Sequence, residues 1–201
     1  MRIRTAELAA VVTRPDASPP DDLPQVAVAG RSNVGKSSLL NAIAGRRALA
    51  PISKTPGRTR ALHFYRINGR FYLVDLPGYG YARLPDLVRR RWRPLLEGYF
   101  ARARGLRGVV WCLDARRAPT AEDLQMAEYL RALGLPTLYV LTKIDKLKRR
   151  ERAQRTEAVL GVLGAPRSRA VWFSAKTGEG KVQVLKRLSE LLREPAASEE
   201  P

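Results

Sequence analysis

Apolar residues along this chain gather into short runs, separated by longer stretches where they recur every three or four positions. The runs are Gln25–Ala29, Ala61–Asn68, Arg70–Asp75, Gly108–Leu113, Thr137–Leu141 and Ala170–Phe173. Runs this short and this apolar suit strands buried on both faces of a sheet. Helical spacing predicts helices at Lys36–Ala44, about Pro85–Arg104, Ala121–Leu133, Arg149–Leu163 and Gly180–Leu192. Thr120 followed by Asp123 reads as an N-cap with an acid in the first turn. Asn68-Gly69 joins the second and third runs, the pair of residues that a two-residue antiparallel hairpin favours. The alternation predicts an α/β fold of three layers, with a mostly parallel, mixed six-stranded sheet and one antiparallel hairpin. Residues 1–24 read as an arm ending in Pro15, Pro19, Pro20, Asp21, Asp22 and Pro24. Residues 25–194 read as one domain and 195–201 as a disordered acidic tail.

Chemistry concentrates where predicted strands end. Gly30-Arg31-Ser32-Asn33-Val34-Gly35-Lys36-Ser37 matches G-x-x-x-x-G-K-[ST] and stands between a strand and a helix. Glycines let such a loop turn its N–H groups onto phosphate oxygens, and the helix N-terminus adds about half a positive charge. Lys36 is expected to reach the β- and γ-phosphates and the Ser37 hydroxyl to ligate Mg2+. Asp75-Leu76-Pro77-Gly78 closes the third run. Its carboxylate can hold the magnesium shell through water, and the Gly78 N–H can meet the γ-phosphate.

Thr142-Lys143-Ile144-Asp145 follows the fifth run, and Ser174-Ala175-Lys176 follows the sixth, which ends at Phe173. Guanine presents N1–H and N2–H2 side by side, so one carboxylate can accept both; adenine lacks that pair. Asp145 is therefore the expected base reader. The Lys143 stem can cover the base, and the Ala175 N–H can donate to guanine O6. Thr142 stands where an asparagine is commoner, and its hydroxyl can bond to nearby backbone.

These motifs in this order resemble the translation-factor-class GTPases that include TrmE, Era, EngA, EngB and the septins. Gly30–Leu40, Lys54–Arg60, Val74–Tyr81, Leu113–Arg117 followed by Pro119, and Leu141–Lys146 narrow the resemblance to the EngB (YihA/YsxC) family of bacterial ribosome-assembly GTPases. It spans roughly residues 5–190 and implies a P-loop GTPase domain that binds GTP and GDP with magnesium and hydrolyses GTP. It also implies a role in maturation of the large ribosomal subunit and a need in cell division and septation. By the family pattern, Thr59 within Gly57-Arg58-Thr59-Arg60-Ala61 completes the magnesium shell in the GTP state. Tyr79 follows the D-x-x-G motif where Ras-like enzymes place a water-orienting glutamine, so slow turnover without a partner is expected. Asn33 offers another catalytic route, as a ligand of a potassium ion beside the phosphates or simply as a loop-stabilising residue. A binding module of the division septum with little catalytic role remains a second reading, and a P-loop ATPase or kinase a third.

Charge adds a partner. The formal net charge is +18, and only eight of the 37 basic residues are lysine, so coding bias contributes. Yet thirteen arginines face four acids between Arg60 and Thr120, a density that attracts phosphate backbones and points to rRNA or the ribosome. The lone Cys112 allows no disulfide, and no run nears the roughly 20 apolar residues of a membrane span. A cytoplasmic monomer is expected.

Overall fold

The computed structural model describes residues 1–14, 22–46, 48–51, 61–80 and 86–193, the side chains of 86–93 excepted. The proline-rich end of the arm and the acidic tail lie outside them. In chain order the elements are β1 (Ala6–Val12), β2 (Gln25–Gly30), α1 (Lys36–Ala44), β3 (Leu62–Ile67), β4 (Phe71–Asp75) and α2 (Asp86–Arg102). There follow β5 (Leu106–Asp114), α3 (Ala121–Ala132), β6 (Thr137–Thr142), α4 (Arg149–Leu163), β7 (Ala170–Trp172) and α5 (Lys181–Leu191).

Among the described residues the sheet has seven strands, one more than the hydrophobic pattern predicts, in the order β1-β3-β4-β2-β5-β6-β7. The addition is β1, inside the stretch read as an arm; it pairs antiparallel with β3. Asn68, at the hairpin turn, captures it. Its Oδ1 accepts from the N–H groups of Arg4 (2.7 Å) and Thr5 (3.1 Å), and its Nδ2 donates to Arg2 O (2.9 Å). Asn68 and Gly69 sit at φ 52° and 65°, the left-handed pair that a type I′ turn requires. β3 and β4 form the expected hairpin, and β2, β4, β5, β6 and β7 run parallel.

Successive side chains on a strand point to opposite faces, and the core divides accordingly. Val26 and Val28 of β2 pack with Leu39, Leu40 and Ile43 of α1 and Val184, Leu188 and Leu191 of α5. Ala27 and Ala29 face Leu95 and Tyr99 of α2, Met126 and Leu130 of α3, and Leu160 and Leu163 of α4. Each such Val or Leu contributes about 1.5–3 kcal/mol by leaving water. Strand order reverses around β2, so the loop after β2 opens at the switch point where ligands bind in such sheets. The carboxyl ends of β4, β5 and β6 flank it.

Candidate nucleotide site

The loop after β2 holds two left-handed residues, Asn33 at φ 61° and Gly35 at φ 110°. Asparagine is among the few side chains that tolerate this region. A Cβ on Gly30 would lie 2.8 Å from Cys112 O and 2.9 Å from Val34 Cγ1, so β5 presses on the loop from behind. Cys112 is wholly buried, and burial pushes its thiol up to about 12; it is packing, not a nucleophile.

Lys36 opens α1, and its Nζ donates to Asp75 Oδ1 at the end of β4. Both are buried, the carboxylate only 2 % exposed. A buried lysine and carboxylate require close pairing, and this pairing aims both charges at one spot. Ser32 joins the loop to the D-x-x-G turn: its N–H donates to Tyr79 O (2.9 Å) and its hydroxyl to Gly78 O (3.2 Å). Leu76 and Pro77 are buried beneath the turn, while Gly78 is partly exposed beside Ser32.

Tyr79 turns away from the loop into the core, where it is 6 % exposed. Its hydroxyl donates to Asp123 Oδ1 (2.8 Å) and accepts from Trp111 Nε1 (2.6 Å). Asp123 Oδ2 in turn accepts from Thr120 N (2.9 Å) and Thr120 Oγ1 (3.1 Å) at the start of α3. Burial first and the Asp123 charge second push the Tyr79 phenol far above its ordinary range. The position that carries glutamine in Ras-like enzymes thus holds a core anchor, and its inward direction could not be read from the motif.

Thr142 Oγ1 donates to Val34 O at 2.6 Å and lies 3.0 Å from Leu113 O, the backbone bonding expected of it. Lys143, at φ 60°, extends its Nζ to Asn33 O (2.6 Å) and to Asp114 Oδ2 (3.0 Å). Ile144 is buried; Asp145 is partly exposed, and its Oδ1 accepts from Ser174 Oγ (2.7 Å). That bond draws together the two base-site segments, separated by 29 residues. Phe173 is buried, its N–H donating to Leu141 O (2.9 Å), and Ala175 is exposed. Asp114, to which the motifs gave no role, receives Arg116 Nε (2.9 Å) and Nη2 (2.7 Å) as well as Lys143. Burial alone would raise its carboxyl, but the bonds from Arg116 and Lys143 outweigh it and hold the group at about 2. Ala61 is buried just before β3, whereas Gly57, Arg58, Thr59 and Arg60 lie outside the described residues.

A glycine-rich loop after β2, a carboxylate at the end of β4 and a second carboxylate just after β6 stand at the same edge of the sheet, the arrangement of a GTPase nucleotide-binding domain. The comparisons agree. Residues 25–143 match the family model described as 50S ribosome-binding GTPase. The chain is 46% identical over 201 residues, 100% of this chain and 94% of the relative, to a probable GTP-binding protein EngB of Geobacter sp. (strain M21). Among solved structures it resembles a probable GTP-binding protein EngB with TM-score 0.71 at 25% identity, over 84% of this chain and 98% of that one. It shares the fold of Era, solved in complex with MgGDPNP and nucleotides 1506–1542 of 16S ribosomal RNA, with TM-score 0.68 at 23% identity, over 89% and 58% of the two chains. The chain belongs to the EngB family of GTP-binding proteins and is a GTPase.

Proposed function

We propose that this protein is a magnesium-dependent GTP switch with slow intrinsic hydrolysis, acting in the cytoplasm on the large ribosomal subunit or its precursor, and that cell division needs it for that reason. The observation that carries the switch is the seam between Ser32 and the Gly78–Tyr79 turn, beside the Lys36–Asp75 pair. A γ-phosphate meeting Lys36 and the Gly78 N–H would act on that seam directly. The ribosomal partner is supported by the family description and by the +18 charge. No helix among the described residues is long and apolar enough to cross a membrane.

The donor set suits magnesium, a hard cation that prefers oxygen. The Ser37 hydroxyl would bind it directly, Asp75 through water, and Thr59 in the GTP state; when bound, it neutralises charge on the β- and γ-phosphate oxygens. The chain's own residues then position the nucleotide. The N–H groups of the loop and Lys36 hold the phosphates, while Asp145, steadied by Ser174, takes the guanine edge. With Tyr79 committed to the core, the position that carries the water-orienting glutamine in Ras-like enzymes is not free for that task, and a partner would accelerate turnover. Asn33, partly spent on holding Lys143 through its carbonyl, would use its exposed side chain to ligate potassium. Hydrolysis would then run faster in potassium than in sodium at equal ionic strength, and Asn33→Ala would erase the difference.

Co-sedimentation with purified 50S subunits tests the reading. Association should differ between GDP and a non-hydrolysable GTP analogue, and weaken about tenfold or more between roughly 50 and 200 mM salt. Binding indifferent to both nucleotide and salt would refute it.

A further inference from the structure

The Leu113–Arg117 segment carries part of the family resemblance, yet none of the nucleotide contacts described above uses it. Its carboxylate, Asp114, closes β5, between the strand that leads into the phosphate loop and the strand that leads into the base loop. Four hydrogen bonds converge on it. Oδ1 accepts from Arg116 N (3.1 Å) and Nε (2.9 Å), and Oδ2 from Arg116 Nη2 (2.7 Å) and Lys143 Nζ (3.0 Å). The same Lys143 ammonium donates to Asn33 O at 2.6 Å. One polar chain therefore runs from Arg116 through Asp114 and Lys143 to the phosphate loop.

The two residues that meet here both hold positive φ, Lys143 at 60° and Asn33 at 61°. Asparagine tolerates that region, but a lysine persists there only where its surroundings hold it. A lysine ammonium on four methylenes finds many positions unless an anion fixes it. Asp114 is that anion: partly buried, held ionised, and the only acid whose carboxylate bonds Lys143 among the described residues.

We propose that Asp114 is a positioning residue for guanine-nucleotide binding, which by fixing Lys143 against the Asn33 carbonyl sets the spacing of the base loop and the phosphate loop. The proposal rests on the reading that one nucleotide spans both loops. A nucleotide bridging them is retained best when their separation is fixed beforehand. Loss of the clamp should therefore speed release while leaving base choice to Asp145 and Ser174.

The test is the release rate of a fluorescent GDP analogue from the full chain, with competition by GTP, ATP and xanthosine triphosphate. Asp114→Ala should release GDP about tenfold faster or more, as loss of a charge-assisted bond implies. Asp114→Asn keeps the shape and one acceptor oxygen, and should fall between, at about threefold. Both variants should keep the wild-type order of GTP over ATP and xanthosine triphosphate. In a Lys143→Ala background, Asp114→Ala should change release by less than about twofold, because its effect passes through Lys143.

Wild-type release from Asp114→Ala would overturn the proposal, as would effects of the two substitutions that multiply. Should Asp114→Ala fail to fold, wild-type release from Asp114→Asn overturns it alone. Loss of base preference with loss of affinity would mean collapse of the pocket and refute positioning. A wild-type protein that binds no guanine nucleotide would sink the nucleotide reading itself, and this proposal with it.

Discussion

Tyr79 offers the most direct check on how this site is built, because one hydroxyl serves two buried groups. Tyr79→Phe deprives Trp111 Nε1 of an acceptor at 2.6 Å and Asp123 Oδ1 of a donor at 2.8 Å. Asp123 is 3 % exposed and Trp111 is fully buried, so water cannot replace the lost partner without opening the core. A stranded buried polar group costs about 1–3 kcal/mol. Asp123 keeps both Thr120 bonds on its other oxygen, which favours the lower half of that range for the carboxylate, while Trp111 Nε1 takes the middle of it. The sum is about 3 kcal/mol, or roughly 6–12 °C of melting midpoint in a chain of this size. Thermal unfolding and urea titration of the nucleotide-free and GDP-bound protein would measure it. Tyr79→Gln extends the test to catalysis. It installs the Ras-like residue, yet the backbone directs that side chain toward Trp111 and not toward the phosphates, so turnover should not rise. A Tyr79→Phe variant within about 0.5 kcal/mol of wild type, or a Tyr79→Gln variant that hydrolyses GTP faster, would refute the inward anchor.

Asp145→Asn replaces an acceptor with an amide donor facing the guanine N–H groups; GTP affinity should fall about tenfold or more, and the variant should prefer xanthosine triphosphate, measured by competition binding. A folded variant still preferring GTP would remove Asp145 as the base reader. Gly180 sits at φ 83°, and a Cβ there would fall 1.7 Å from Trp172 O, so Gly180→Ala should destabilise the fold by more than about 2 kcal/mol in urea unfolding. Asp114 is held at about 2, below its unfolded value of 3.8. Its stabilisation should therefore be complete above about pH 4 and fade as pH falls toward 2. The stability gap between wild type and Asp114→Asn should accordingly stay level from about pH 5 to 8 and narrow only below about pH 4.

What sequence made legible is what local geometry dictates. The phosphate loop needs glycine where φ is positive, the Asn68-Gly69 turn needs two left-handed residues, and buried strands need unbroken apolar runs; each leaves a pattern a few residues long. The segments that carry Asp145 and Ser174 were legible because each follows closely on the end of a buried strand, and the structure joins them by a hydrogen bond. β1 was not, since an edge strand buries little: Leu8 and Val11 remain 51 % exposed, and its register slips between Leu8 and Ala10. It is held by a side chain 63 residues away from Thr5, a distance no local pattern spans. The inward turn of Tyr79 and the Asp114–Lys143 contact were hidden for the same reason. Both depend on which strand ends become neighbours, and strand order is a property of the assembled sheet.

The placement of β1 carries a consequence for solubility. β3 holds Leu62 and Phe64, both buried, and without β1 its outer rim of N–H and C=O groups would stand open along an apolar strand. Exposed rims of that kind recruit other chains into continuous sheets. β1 takes that place and blunts it, because its register shifts between Leu8 and Ala10 and the acidic Glu7 lies on it. A chain begun at Gln25 would retain every residue of the nucleotide motifs, yet it would present to its own copies the very edge that the first dozen residues close.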